Sequence, residues 1–121
     1  MSVPIGSKSI GPGHPCYIVA EIGINHNGDL DTAKKLIDVA SGAGCDAVKF
    51  QKRTVEAVNT DEELAKPRES PFGVTNGDLK RGLELGIDQY TEIDRYCREI
   101  KIDWFASCWD ERSVSFIDRF N

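Results

Sequence analysis

One carboxylate, Glu21, stands alone in the apolar run CYIVAEIGI, residues 16–24. A charge taken out of water without compensation is expensive, so a carboxylate there needs either an ion partner or an acid–base task. A second isolated charge, Lys49, lies in DAVKFQ, residues 46–51. Side chains alternate along a strand, which places Lys49 and Gln51 on one face with Ala47 and turns Val48 and Phe50 to the other. A lysine and an amide at the mouth of an α/β fold suit an anionic, hydroxylated ligand. Lys49 could equally do no more than neutralise Glu21. Ser107 closes a third apolar run, DWFAS, where its hydroxyl could bind a carboxylate or phosphate oxygen, or cap a helix.

Around these stand residues with a structural reading. In the turn NHNGD, Asn25 and Asn27 shape the chain and present amides to the cleft. His26 reads as a structural histidine rather than a metal ligand. Gly23 and Gly28 allow positive φ or close backbone packing. Asp110 reads as a helix cap. The aromatics Tyr17, Trp104 and Phe105 read as core.

The elements that must position these groups follow from periodicity. Residues 7–15, SKSIGPGHP, form a short ribbon with a Gly-Pro-Gly turn. A strand over Cys16–Ile24 leads to a helix over Asp29–Ala43. Asp29 is its N-cap, Leu30, Ala33, Leu36, Ile37 and Ala40 are its inner face, and Gly44 is its C′ residue. A second strand, Asp46–Gln51, completes a βαβ unit. Residues 52–87 are irregular, with helical turns near Asp61–Ala65 and Asn76–Gly82. A stretch this long is often functional. A helix over Asp88–Ile100 has the stripe Tyr90, Ile93, Tyr96, Cys97 and Ile100. It is followed by a strand, Asp103–Ser107, and a helix, Glu111–Phe120, that uses Val114, Ile117 and Phe120. The alternation defines an α/β class with parallel strands whose two faces are both buried. Three β/α units are about three-eighths of a (β/α)8 barrel, which needs roughly 250 residues. The expectation is therefore that residues 1–121 are the N-terminal part of one TIM-barrel domain, preceded by a short β-ribbon. In such folds chemistry sits at the C-terminal strand ends, the positions of Glu21, Lys49, Gln51 and Ser107.

Composition narrows the function classes. The net charge of −5 argues against a nucleic-acid partner. No apolar stretch is long enough to span a bilayer, and residues 1–13 lack the apolar core of a secretory signal, so no membrane partner and a cytoplasmic location are expected. The four cysteines, Cys16, Cys45, Cys97 and Cys108, include no CxxC pair and read as reduced, small hydrophobes.

The segment YIVAEIGINHNGDLDTAKKLIDVASGAGCDAVKFQKRT, with IDQYTEIDRYCREIKIDWFASCWDERSVSFIDRF after it, resembles the N-acetylneuraminate (sialic acid) synthase family, which includes legionaminic and pseudaminic acid synthases. In FASCWD, Ser107 stands where the family commonly has threonine, and Cys108 where it has proline. The resemblance implies condensation of phosphoenolpyruvate with an N-acylated amino sugar, N-acetylmannosamine-like, with release of phosphate. It implies proton transfer by Glu21, phosphoenolpyruvate contacts from Lys49 and Ser107, and an amino-sugar contact from Gln51. It also implies a divalent metal, Mn2+ or Mg2+, whose ligands lie on later strands. A C-terminal antifreeze-like domain and a homodimer are expected of the full-length protein, and the 121-residue chain alone is expected to be inactive.

Three other readings compete. One is a different phosphoenolpyruvate-dependent ulosonic acid synthase. Another is an aldolase that uses Lys49 as a Schiff-base nucleophile. The last is a non-catalytic barrel fragment that serves as an interaction domain.

Overall fold

Chain order in the computed structural model, which describes residues 1–121, is set by one repeated unit. A hairpin of β1 (Val3–Ile5) and β2 (Lys8–Ile10) precedes it. Then come β3 (Val19–Gly23), α1 (Leu30–Gly42) and β4 (Ala47–Lys52). Between β4 and the next long helix lie α2 (Val55–Val58), α3 (Asp61–Ala65), β5 (Pro67–Ser70), β6 (Gly73–Thr75) and α4 (Asn76–Gly82). The chain continues with α5 (Ile87–Ile100), β7 (Asp103–Cys108), α6 (Glu111–Ile117) and a 3-10 turn over Asp118–Phe120.

β3, β4 and β7 form one parallel sheet with β4 in the middle. This is an α/β fold with a parallel sheet, as the alternation predicts. Its helices form where the sequence allows. Asp29 caps α1 by accepting from the Thr32 amide, and Gly44 stops it at φ +84°. Ala33, Ile37 and Ala40, one turn apart, are buried. In α5 the matching stripe is Tyr90, Ile93 and Cys97. These two helices meet Ile22, Val48, Phe50, Leu85 and Ile102 in a single core cluster. Burying side chains the size of Phe50 and Ile37 contributes about 2 kcal/mol each. Trp104 stacks on Tyr90 at 5.6 Å, and Phe116 and Phe120 close the cluster edge-on. No helix is long and apolar enough to cross a membrane.

Several expectations require correction. The sheet is covered by helices on one face only. Its other face carries Val19, 40% exposed, and Phe105, 44% exposed, so Phe105 is not core. Tyr17 is half-buried and donates from its hydroxyl to Asp103. Val114 points to solvent at 56% exposure, and Ser113 is the buried residue of α6. The Gly-Pro-Gly turn is present, closed by the His14 amide donating to the Gly11 carbonyl at 3.1 Å, but it follows the ribbon; the hairpin itself turns at Gly6–Ser7, where glycine supplies φ +55°. The first sheet strand starts at Val19, three residues later than Cys16. The irregular stretch contains the expected turns over Asp61–Ala65 and Asn76–Gly82, and in addition the α2 turn and a β5–β6 hairpin.

Candidate active site

Strand register brings the chemistry-bearing residues together. Glu21 pairs with Lys49, Lys49 with Phe105, and Gln51 with Ser107, all on the sheet face away from the helices. Lys49 is central because β4 is central. Its Nζ lies 2.8 Å from Glu21 Oε1 and donates to Ser107 Oγ at 2.8 Å. One ammonium therefore bridges all three strands. Lys49 retains 21% side-chain exposure and Glu21 59%, so the carboxylate stays accessible while its partner is mostly shielded. After Glu21 the register slips, and Gly23 instead of Ile22 sits opposite Phe50. Alternation sends Ile22 into the core and leaves Glu21 on the open face. Gly23 takes φ +58° there, a conformation that favours glycine.

Gln51 extends the same face by one pleat. Its side-chain amide makes no hydrogen bond within the protein and lies over the end of β3, 3.9 Å from the point where a Gly23 Cβ would project. Its backbone carbonyl accepts from the Tyr90 hydroxyl at 3.1 Å, which ties the end of β4 to α5. Asn25 shapes its turn as expected, but its amide is spent there. Its Nδ2 donates to the Ile22 carbonyl at 3.0 Å, so the side chain closes its own turn, and no hydrogen bond joins it to Glu21, Lys49 or Ser107.

His26 is a turn residue. It is 1% exposed, packs against Phe50, and accepts the Gly28 amide at Nδ1, 3.0 Å away. Burial lowers its pKa below 6.5. The turn is clamped further by Gly28, whose φ is +74° and whose added Cβ would lie 2.0 Å from the Gly82 carbonyl oxygen. Burial, then the Asp110 charge, pushes the Cys108 thiol up, which keeps it protonated and unreactive beside the site.

Asp110 does more than cap. It accepts from the Ser113 amide and hydroxyl, as a cap does, each at 2.9 Å. It also accepts the Thr54 amide at 2.7 Å and the Thr54 hydroxyl at 2.9 Å. Residues just past β4 and β7 are thus latched together. The cap was legible from Asp110 preceding an amphipathic run. The bond to Thr54 spans 56 residues and leaves no local signal.

No cluster of three or more His, Cys, Asp or Glu side chains is placed to hold a metal ion, so this chain offers no donor set for one. What the site offers is a lysine-centred anion cradle with an accessible carboxylate, a hydroxyl and a free amide.

A parallel α/β sheet with such a cradle at its C-terminal strand ends is the layout of a small-molecule site. The NeuB family model matches residues 36–121, and the chain belongs to that family. It is 45% identical over 114 residues to N-acetylneuraminate-9-phosphate synthase of Homo sapiens, covering 93% of this chain and 32% of that protein. It is 34% identical over 115 residues to N,N'-diacetyllegionaminic acid synthase of Legionella pneumophila, covering 93% and 32%. Its fold matches the crystal structure of the N-acetylneuraminic acid (sialic acid) synthetase of Leptospira borgpetersenii with a TM-score of 0.78 at 23% identity, covering 100% of this chain and 39% of that one. The chain spans about a third of the length of the curated relatives it matches.

Proposed function

We propose that this chain is the first part of a (β/α)8 barrel synthase that condenses phosphoenolpyruvate with an N-acylated amino sugar and releases phosphate. The observation that carries this reading is the Lys49 bridge between Glu21 and Ser107. Phosphoenolpyruvate brings a carboxylate and a phosphate. Lys49 supplies a cation for one of them, and the Ser107 hydroxyl, freed from Lys49, donates to the same group. Arrival of the anion displaces the Glu21 carboxylate, which is then free and accessible to move a proton at the sugar. Gln51, with an unengaged amide beside Gly23, is positioned for the amino-sugar end. The half-covered sheet supports the barrel reading, because Val19 and Phe105 present apolar surface that further strands would bury. The Mn2+ or Mg2+ implied by the family resemblance has no donor set in this chain, and no step here runs through it.

A Schiff-base aldolase fits less well. Lys49 is engaged as one half of an ion pair, a role for the ammonium, whereas the aldolase needs the free amine. The decisive experiment is phosphate release from phosphoenolpyruvate by the full-length protein, run against a panel of N-acyl hexosamines with manganese present. Release that depends on one of the sugars is expected. No release with any sugar overturns the assignment.

A further inference from the structure

On the helix-covered side of β4, away from Lys49, the structure holds a second concentration of charge. Lys52, the last residue of β4, points to the side opposite Lys49 and Gln51. It opens a cleft of about 580 Å³ between the stretch after β4, the end of α4, and α6. Five cationic side chains line it: Lys52, Arg53, Arg81, Arg112 and Arg119. Two carboxylates, Glu56 and Glu84, stand against them. The cleft therefore has an excess of three positive charges in a chain whose net charge is −5.

The pairing inside the cleft is uneven. Glu84 is shared between Arg53, 2.7 Å away, and Lys52, 3.8 Å away, with all three side chains at or below 13% exposure. Glu56 is taken by Arg81 at 2.7 Å. Arg112 and Arg119 make no ion pair, and Arg119 stacks over the Phe116 ring instead. Arg112 and Ser115 share one face of α6, and Arg119 joins them from the 3-10 turn that follows, so two free guanidinium groups and a hydroxyl line the same side of the cleft. Like charges crowded this way repel one another unless an anion is bound. A guanidinium pair matches phosphate oxygens two at a time, and the two carboxylates can accept from hydroxyl groups. The volume falls within the range of small-ligand sites.

We propose that this cleft binds a phosphorylated sugar, with its phosphate on Arg112 and Arg119 and its hydroxyls toward Glu56 and Glu84. The site is separate from the Lys49 cradle and does not rest on the reaction assigned there. The test is calorimetric titration of the full-length protein with glucose 6-phosphate, N-acetylmannosamine 6-phosphate, unphosphorylated N-acetylmannosamine and orthophosphate. The R112A/R119A variant is titrated in parallel, with circular dichroism to confirm that it is folded. Both replaced residues are exposed, so the fold should persist. Expected are tighter binding of at least one sugar phosphate than of orthophosphate, and a loss of at least about tenfold in the variant. Binding of the unphosphorylated sugar should not change. Equal sugar-phosphate affinity in variant and parent overturns the assignment of the arginines. Orthophosphate binding as tightly as every ester overturns the sugar part. A Lys49→Met variant keeps the cleft intact, so loss of sugar-phosphate binding there would place the ligand in the cradle and overturn the proposal.

Discussion

Replacing Asp110 with alanine removes the latch between the ends of β4 and β7. Four hydrogen bonds disappear together, two from Thr54 and two from Ser113. Loss of the cap on α6 costs about 1 kcal/mol. The two Thr54 bonds reach a charged acceptor, and each would be worth about 1.5 kcal/mol or more if fully buried. Asp110 is only partly shielded, so about half of that survives screening by water. The expected loss for Asp110→Ala is about 2.5 kcal/mol, read as a lower urea midpoint at unchanged slope. Thr54→Val in the same protein separates the latch from the cap. A cycle of the two substitutions should show coupling of about 0.5–1 kcal/mol. The pH dependence carries a second signature. Burial raises the Asp110 pKa, but the Thr54 and Ser113 bonds outweigh it and hold the carboxyl at about 2, below its ordinary 3.8. The folded value lies below the unfolded one, so the stabilisation is complete above about 4 and fades as pH falls through about 2. A loss under about 0.5 kcal/mol, additive behaviour with Thr54→Val, or an acid limb unchanged in Asp110→Ala would refute the latch.

Four further outcomes are expected. Glu21→Gln should lower turnover of the full-length protein at least about 100-fold with unfolding unchanged, as for a lost acid–base group; near-normal turnover removes Glu21 from the chemistry. Lys49→Met should abolish sugar-dependent phosphate release but change stability by under about 1 kcal/mol, because its partner Glu21 is 59% exposed. Gly28→Ala should destabilise by about 3 kcal/mol or more in chemical denaturation, since its Cβ would overlap the Gly82 carbonyl and φ is +74°. Burial holds the His26 pKa below 6.5, so the unfolded chain takes up the proton first and stability should fall as pH drops below about 6.5; a His26→Gln variant should lose this limb.

Much of this arrangement was legible in the residues. α1 and α5 begin and end within a residue of the boundaries that caps and apolar spacing predict, and Lys49 and Gln51 share the face that strand alternation assigns them. Their convergence with Ser107 followed from parallel order alone. What was not legible depends on contacts distant in sequence or on what covers a face. Phe105 has the composition of a core residue, and only the missing cover on its side of the sheet exposes it. Val114 fits a helical stripe, yet Ser113 takes the inner position because Asp110 draws its amide and hydroxyl inward. The β5–β6 hairpin has three- and four-residue strands joined by Pro71 and Phe72, too short for alternation to register. Asn25 turns back on its own loop and donates to the Ile22 carbonyl, a local bond that competes with any role in the cleft. The basic cleft draws its arginines from positions 53, 81, 112 and 119, none of which is a cluster in sequence.

The two-sided character of β4 has a consequence for which mutations it can absorb. Ala47, Lys49 and Gln51 face one way and Val48, Phe50 and Lys52 the other. Substitutions at Lys49 and Gln51 leave the packing beneath them undisturbed, so their effect on activity can be read apart from any effect on the fold. A change of length is another matter. Deleting a single residue early in β4 would exchange the two sets, driving Lys49 and Gln51 into the aromatic layer and Phe50 into water. The strand should therefore tolerate variation in its letters far better than any insertion or deletion, and a deletion scan across residues 46–52 should find no viable member.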